Sequence, residues 1–439
     1  DRVIVSDTAR PSYQLLQAAG HGIRRPAQVL YVADHYTPSS PTALEAIPDA
    51  DIRRALAETD AFSRAEGVNR LPWGHPLRGI QHSVAVEQGF ALPGLAVAAS
   101  DSHTLTQGAV GALALSISAD IVHALATQTV WITRPAAMRI TLAGSAGSGV
   151  HAKDVALALL AQIGRGGAGG MAIEFAGDYV RSLSIAGRMT LCNLATELGA
   201  RVAVVAPDAE TLAVLEGTRF APKGADWAVF ADGIGDLASD PDTSWDREVT
   251  LDAATVAPMV SWGTSPSHVA PITGHVPDPT AETDPTRRAH LEQSLDYMGL
   301  KPGMSLEELA IDQVFIGSCA NGSLEDLEAA GTILGGRRVK VPTLIVPGSN
   351  QVRQAAEASG LADSLRASGA VLGESGCSMC NAMNGDVVPP RHRAASTTNR
   401  NHIGRQGPGS RTHILSPAMA AAAAVTGRLT DVRKLGSLP

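Results

Sequence analysis

The sequence predicts an α/β protein with largely parallel sheets. Two observations carry that prediction. Apolar runs of strand length recur along the 439 residues, each ending in small or polar residues. Between several of them lie stretches whose apolar residues repeat at helical spacing. Strands that alternate with helices in this way stack as α/β layers around parallel sheets.

The strand-like runs are VLYVADH (29–35), GLAVAASDSH (94–103), MRITLAGSAG (138–147), VAVVAPD (202–208), DQVFIGSC (312–319) and TLIVPGSN (343–350). Residues 151–164 place Val155, Leu159 and Ile163 on one helical face. Residues 323–334 start with Ser323, a favourable N-cap, followed by acidic residues in the first turn. The stretch GRGGAGG (164–170) matches neither phosphate-loop signature and reads as a turn between helix and strand. Asp, Pro, Ser and Thr accumulate within 223–295, where residues 275–288 read as a linker before a last domain.

Hydrophobic residues make up 44% of the chain and charged residues 18%, which suits a folded enzyme rather than a disordered protein. The net charge of −8 argues against a nucleic-acid partner, which asks for a basic face. The apolar run AMAAAAAV (418–425) falls far short of the ~18 residues that span a bilayer. The opening DRVIVSD has no basic and apolar leader pattern, and the four cysteines suit a reducing compartment. The expectation is a cytoplasmic protein without a membrane partner.

Chemistry gathers where strands end, because carboxyl ends of strands line the crevice of open α/β sheets. Asp34-His35, Asp101-Ser102-His103 and Cys319 each close such a run. Cys377 and Cys380 form a C-x-x-C in GCSMCNAMNGD. Taken alone, that motif suits half a zinc site, a redox dithiol or two thiolates of an iron–sulfur cluster. Cys319 makes a third thiolate, one fewer than structural zinc or a fully thiolate-ligated cluster takes.

FIGSCANGSLEDL, GCSMCNAMNGD and STTNRNHIGRQGPGSRTHILSPAMAAAAAVTG together resemble the aconitase family. ASDSHTLTQGAVGALAL and MTLCNLATELGA agree with it in the same order. Within the family the likeness is strongest to the large subunits of 3-isopropylmalate dehydratases of leucine biosynthesis. The resemblance implies three α/β/α layered domains, at 1–134, 135–280 and 281–439, around a cluster-containing cleft. It implies a 4Fe–4S cluster on Cys319, Cys377 and Cys380, with one iron not ligated by cysteine. Cys192 is then a buried small side chain rather than a ligand. The reaction implied moves a hydroxyl between adjacent carbons by dehydration and rehydration.

The resemblance also assigns roles. His35 is the acid for the departing hydroxyl, oriented by Asp34. His82, His103 and Glu197 bind the metal-bound water, with Asp101 paired to the histidines. Arg400, Arg405 and Ser102 bind substrate carboxylates, and Asn193 and Asn399 donate hydrogen bonds beside the cluster. The carbon base, a serine, and a further arginine sit in this family on a swivelling domain that these residues do not encode. A small subunit carrying that domain is therefore the expected partner. The expected substrate is an alkylmalate, 3-isopropylmalate first, with homoaconitate, benzylmalate or another substituted malate as alternatives. Rivals of other classes are a cluster-free RNA-binding regulator and a zinc-binding scaffold.

The chain departs from the family pattern at several positions. The usual S-C-T-N-S stands here as Ser318-Cys319-Ala320-Asn321-Gly322, His402 replaces a Phe, Met171 replaces a Tyr or His, and Ser6-Asp7 stands where Gln or His is usual.

Overall fold

Three parallel sheets organise the chain, seen in a computed structural model that describes residues 1–436. The first sheet holds β1 (Arg2–Ser6), β2 (Val29–Val32), β3 (Asn69–Leu71), β4 (Ala96–Ala99) and β5 (Leu113–Ser116), in the order β3-β2-β1-β4-β5. The second holds β6 (Ala137–Ala143), β7 (Ala172–Ala176), β8 (Val202–Val205) and β9 (Arg247–Asp252), in the order β8-β7-β6-β9. An antiparallel pair follows, β10 (Met259–Ser261) and β11 (Val269–Pro271). The third sheet holds β12 (Gln313–Ile316), β13 (Thr343–Ile345), β14 (Val371–Leu372), β15 (Arg393–Ser396) and β16 (Arg411–Ile414), in the order β14-β13-β12-β15-β16. Each strand-like run read from the sequence coincides with one of these strands, β6 starting one residue ahead of its run.

The first and third sheets share one topology. In each the chain winds outward from the first strand, then returns to place the fourth beside it. The strand order reverses between β1 and β4, and again between β12 and β15. Such reversals leave a crevice at the carboxyl ends of the strands. β2 is buried at every position, as parallel strands covered on both faces are, whereas β6 and β7 alternate between buried and half-buried residues.

Local chemistry sets the helices. Helix Ala152–Ile163 opens on a capping box between His151 and Asp154. Helix Leu324–Leu334 opens on another, in which Ser323 accepts from Asp326 N and the Asp326 carboxylate accepts from Ser323 N. The segment 164–170 is a turn between helix and β7. Helix Pro417–Thr426 carries the alanine run with Ala420 to Ala424 fully buried, and stops at Gly427 in the left-handed region. Alanine combines the highest helix propensity with the smallest side chain, so this helix sits inside the core beside Leu327, Ala330 and Leu334. Val276, in the linker-like stretch, is buried in that same core with Leu295 and Met298. Among the described residues no helix is long and apolar enough to cross a membrane.

Candidate active site

Strand ends deliver the functional side chains. β2 runs into Asp34 and His35, and β4 into Asp101, Ser102 and His103. β12 leads to Ser318 and Cys319, and its neighbour β15 leads to Asn399 and Arg400. Hydrogen bonds across the first and third sheets join these ends. Cys377 N donates to Asp34 O at 2.9 Å, and Arg400 Nη1 donates to Ser102 Oγ at 3.0 Å.

His35 lies between two carboxylates. Its Nδ1 is 2.6 Å from Asp34 Oδ1 and its Nε2 is 3.2 Å from Asp101 Oδ2. Burial works against a charged imidazole, but Asp34 and Asp101 outweigh it and hold His35 well above the ordinary histidine value. Asp101 is shared: its Oδ1 is 3.0 Å from His82 Nε2 and accepts from His103 N at 2.7 Å. Burial opposes its ionisation, yet His82 and His35 keep it well below the usual carboxylate range. His82 Nδ1 meets Gln107 Nε2 at 3.2 Å.

A second charge cluster adjoins the first. Glu197 lies 3.6 Å from His103 Nε2 and accepts from Arg400 Nε. Burial raises Glu197, but His103 and Arg400 more than compensate and bring it to about 2. Burial lowers His103. His103 Nε2 is buried without a hydrogen bond among the described residues, an orphan polar atom turned into the site. Arg405 stands apart: it is half-buried, makes no ion pair among the described residues, and its buried Nε has no partner.

The thiols are built in with care. Cys319 Sγ accepts from Asn193 Nδ2 and Asn399 Nδ2, each at 3.1 Å. Cys380 Sγ accepts from Thr398 Oγ1 at 3.3 Å. Burial and neighbouring Cys380 push Cys319 up to about 12, and burial and Asp34 push Cys377 well above the ordinary thiol value. All three are free of disulfides, and their sulfurs would bind a metal as thiolates. Ligand atoms of Asp34, His35 and Cys377 lie within 4.8 Å of one another. Both His35 nitrogens already face carboxylates, so the sulfurs are the donors left free. A soft thiolate set with amide and hydroxyl donors aimed at sulfur fits an iron–sulfur group. Cys192 is fully buried among Leu191, Leu194 and Leu198, and burial raises its thiol far above the ordinary value.

The backbone is strained where the cysteines sit. Ser318 (φ 95°) and Ser378 (φ 46°) occupy the left-handed region, which costs on the order of 1–3 kcal/mol each for such residues. Ser318 Oγ donates to Thr397 O at 3.0 Å and pins its turn to the end of β15. Gly322 is required by packing: a Cβ there would lie 2.8 Å from Gly348 N and 2.9 Å from Ser318 O.

One central residue escapes a reading by motif. Asp7, at the end of β1, is fully buried and accepts from the backbone N–H groups of Asp34, His35 and Tyr36 at 3.1, 3.1 and 2.9 Å. It shapes the turn that carries His35. Its signal was an apolar run closed by an acid, the same pattern as in the other strand ends.

Comparison with known proteins follows this geometry. Residues 1–427 match the model of the aconitase family (aconitate hydratase). A solved structure of Thermococcus kodakaraensis aconitase X in its holo form is similar at 12% identity, covering 100% of this chain and 89% of that chain with a TM-score of 0.49. With the family model spanning nearly its full length, the chain belongs to the aconitase family of hydro-lyases.

Proposed function

We propose that this chain is the cluster-bearing large subunit of a hydro-lyase that isomerises an alkylmalate, with 2- and 3-isopropylmalate as the first pair to test. The observation that carries the reading is the approach of His35 and Cys377, whose ligand atoms share a 4.8 Å neighbourhood with Asp34. A proton-bearing imidazole and a thiol sulfur there serve acid–base work beside a metal group.

Cys319, Cys377 and Cys380 would hold a 4Fe–4S cluster, which would supply Lewis acidity toward hydroxyl and carboxylate oxygens. The other tasks fall to the chain. His35 carries a proton on Nε2, 3.2 Å from Asp101 Oδ2, and passes it to the departing oxygen. Asp34 on Nδ1 fixes the ring and favours its charged form. Asn193 and Asn399 orient Cys319. Arg400 spends Nε and Nη1 on Glu197 and Ser102, leaving Nη2 for a substrate carboxylate, and the unpaired fork of Arg405 suits a second.

The carbon base belongs, on this reading, to a serine on a small partner subunit that also adds an arginine. The division into domains at 1–134, 135–280 and 281–439 and a place in the cytoplasm belong to the same proposal. The test is anaerobic purification with iron and sulfide counts and absorbance at roughly 400 nm, then assay against a panel of substituted malates with and without a small subunit. The expected result is about four irons per chain and turnover only with both subunits. Absence of iron and sulfide, or equal turnover by the large chain alone, overturns the reading.

A further inference from the structure

Lys153 is a fully buried cation that the chemistry above does not use. It sits in the first turn of helix Ala152–Ile163, and its Nζ donates to Thr397 O at 3.0 Å and Thr398 O at 3.1 Å. Among the described residues no carboxylate lies within salt-bridge distance of it. Its neighbour Asp154 is committed elsewhere, accepting from His151 N and Met259 N. Sequestering an ammonium from water without an anion costs several kcal/mol, so an isolated buried lysine asks for an explanation.

The explanation lies one hydrogen bond away. Thr398, whose carbonyl takes a proton of Lys153, sends its own hydroxyl to Cys380 Sγ at 3.3 Å. The groups whose negative charge would act most strongly on Lys153 are the thiols of Cys380 and Cys319, ahead of Asp326 and Asp154. Burial lowers the lysine from its ordinary value, and negative charge on Cys380 and Cys319 would pull it back up. The fold thus places a buried amine behind the sulfurs proposed to hold the cluster, linked to one of them through Thr398.

We infer that Lys153 is a positioning residue for the iron–sulfur group, the fixed counter-ion that stabilises its thiolate-bound, negatively charged form. This inference rests on the cluster reading proposed above. A positive charge at fixed distance favours the more negative of two redox states, so it raises the reduction potential and slows loss of iron.

The test compares wild-type chain with Lys153→Met and Lys153→Arg, each reconstituted anaerobically. Readouts are iron and sulfide content, the midpoint potential followed by electron paramagnetic resonance, and the rate of iron release to a chelator. Lys153→Met is expected to show a more negative potential and iron release about tenfold faster, the size of one ~1.4 kcal/mol charge interaction. Lys153→Arg is expected to recover most of both. If the Met variant does not fold by circular dichroism, Lys153→Gln keeps a donor for the Thr397 and Thr398 carbonyls, drops the charge and reads the same quantities. A neutral variant with full iron, unchanged potential and unchanged release rate overturns the role of Lys153 and leaves the cluster reading standing. Wild-type chain that takes up no iron and sulfide overturns both.

Discussion

Asp34 Oδ1 lies 2.6 Å from His35 Nδ1, and that contact decides which form of the imidazole the site holds. A buried histidine alone would shed its proton readily. With Asp34 on one nitrogen and Asp101 on the other, it keeps the proton to well above the ordinary histidine value. The acid form is therefore present across neutral pH and is lost only as pH rises through the elevated value.

Asp34→Asn follows from this. The amide keeps the shape and removes the charge, so the His35 value falls and the alkaline limb of the kcat profile moves to lower pH. Turnover at neutral pH is expected to drop by about 10²–10⁴-fold, the usual worth of general acid–base catalysis. An unshifted limb in a pH–rate series would remove His35 from the acid role.

Cys319→Ala and Cys192→Ala separate ligand from packing. Loss of a sulfur that two amides orient should abolish bound iron. Removing the Cys192 sulfur should cost about 1 kcal/mol of stability through a small cavity and leave iron content untouched. Iron assay and urea denaturation of both variants decide it.

Asp7 gives a pH dependence of stability. Burial and nearby Asp34 push its carboxyl up to about 7, whereas in the unfolded chain it ionises near ~3.9. The folded state binds the extra proton between these values, so this contribution is full below the lower value and declines as pH rises to the higher. Wild-type Tm should carry that decline between roughly pH 4 and pH 7, and Asp7→Asn should lack it. The variant should also be less stable at acid pH, because an amide NH2 replaces one of the two oxygens that accept from the Asp34, His35 and Tyr36 N–H groups. Thermal melts across that range measure both effects.

Arg400→Lys tests the planar fork. One ammonium cannot serve Ser102, Glu197 and a substrate carboxylate in fixed directions. KM should rise by about 10–100-fold, corresponding to ~1.4–2.8 kcal/mol, with a smaller change in kcat. Steady-state kinetics of the two-subunit enzyme give the split.

Gly322→Ser would restore the residue more usual in the family at that position. Its Cβ has no room against Gly348 N and Ser318 O, so the change should destabilise by about 1–3 kcal/mol. An unchanged denaturation midpoint would show that the Gly322–Gly348 approach relaxes freely.

The sequence by itself determined the α/β class, the strands of all six apolar runs, the helix of 151–164 and the Ser323-capped helix that follows 323, and the residue types that gather at strand ends. Those features are local: apolar period, N-cap chemistry and the identity of the residue after a strand are all written within a few positions. Tertiary structure decided the rest. That Asp101 serves His35 and His82 at once, that Arg400 reaches back to Ser102, and that Asp7 holds the backbone under His35 depend on which strands become neighbours. Lys153 shows this most plainly, since nothing near it in the chain marks it as more than a helix residue. The return of β15 beside β12 sets Thr397 and Thr398 over its ammonium, and through them the charge faces Cys380. Pairing of distant strands follows from burying both faces of a parallel sheet, an energy summed over the whole core that no short stretch of sequence records.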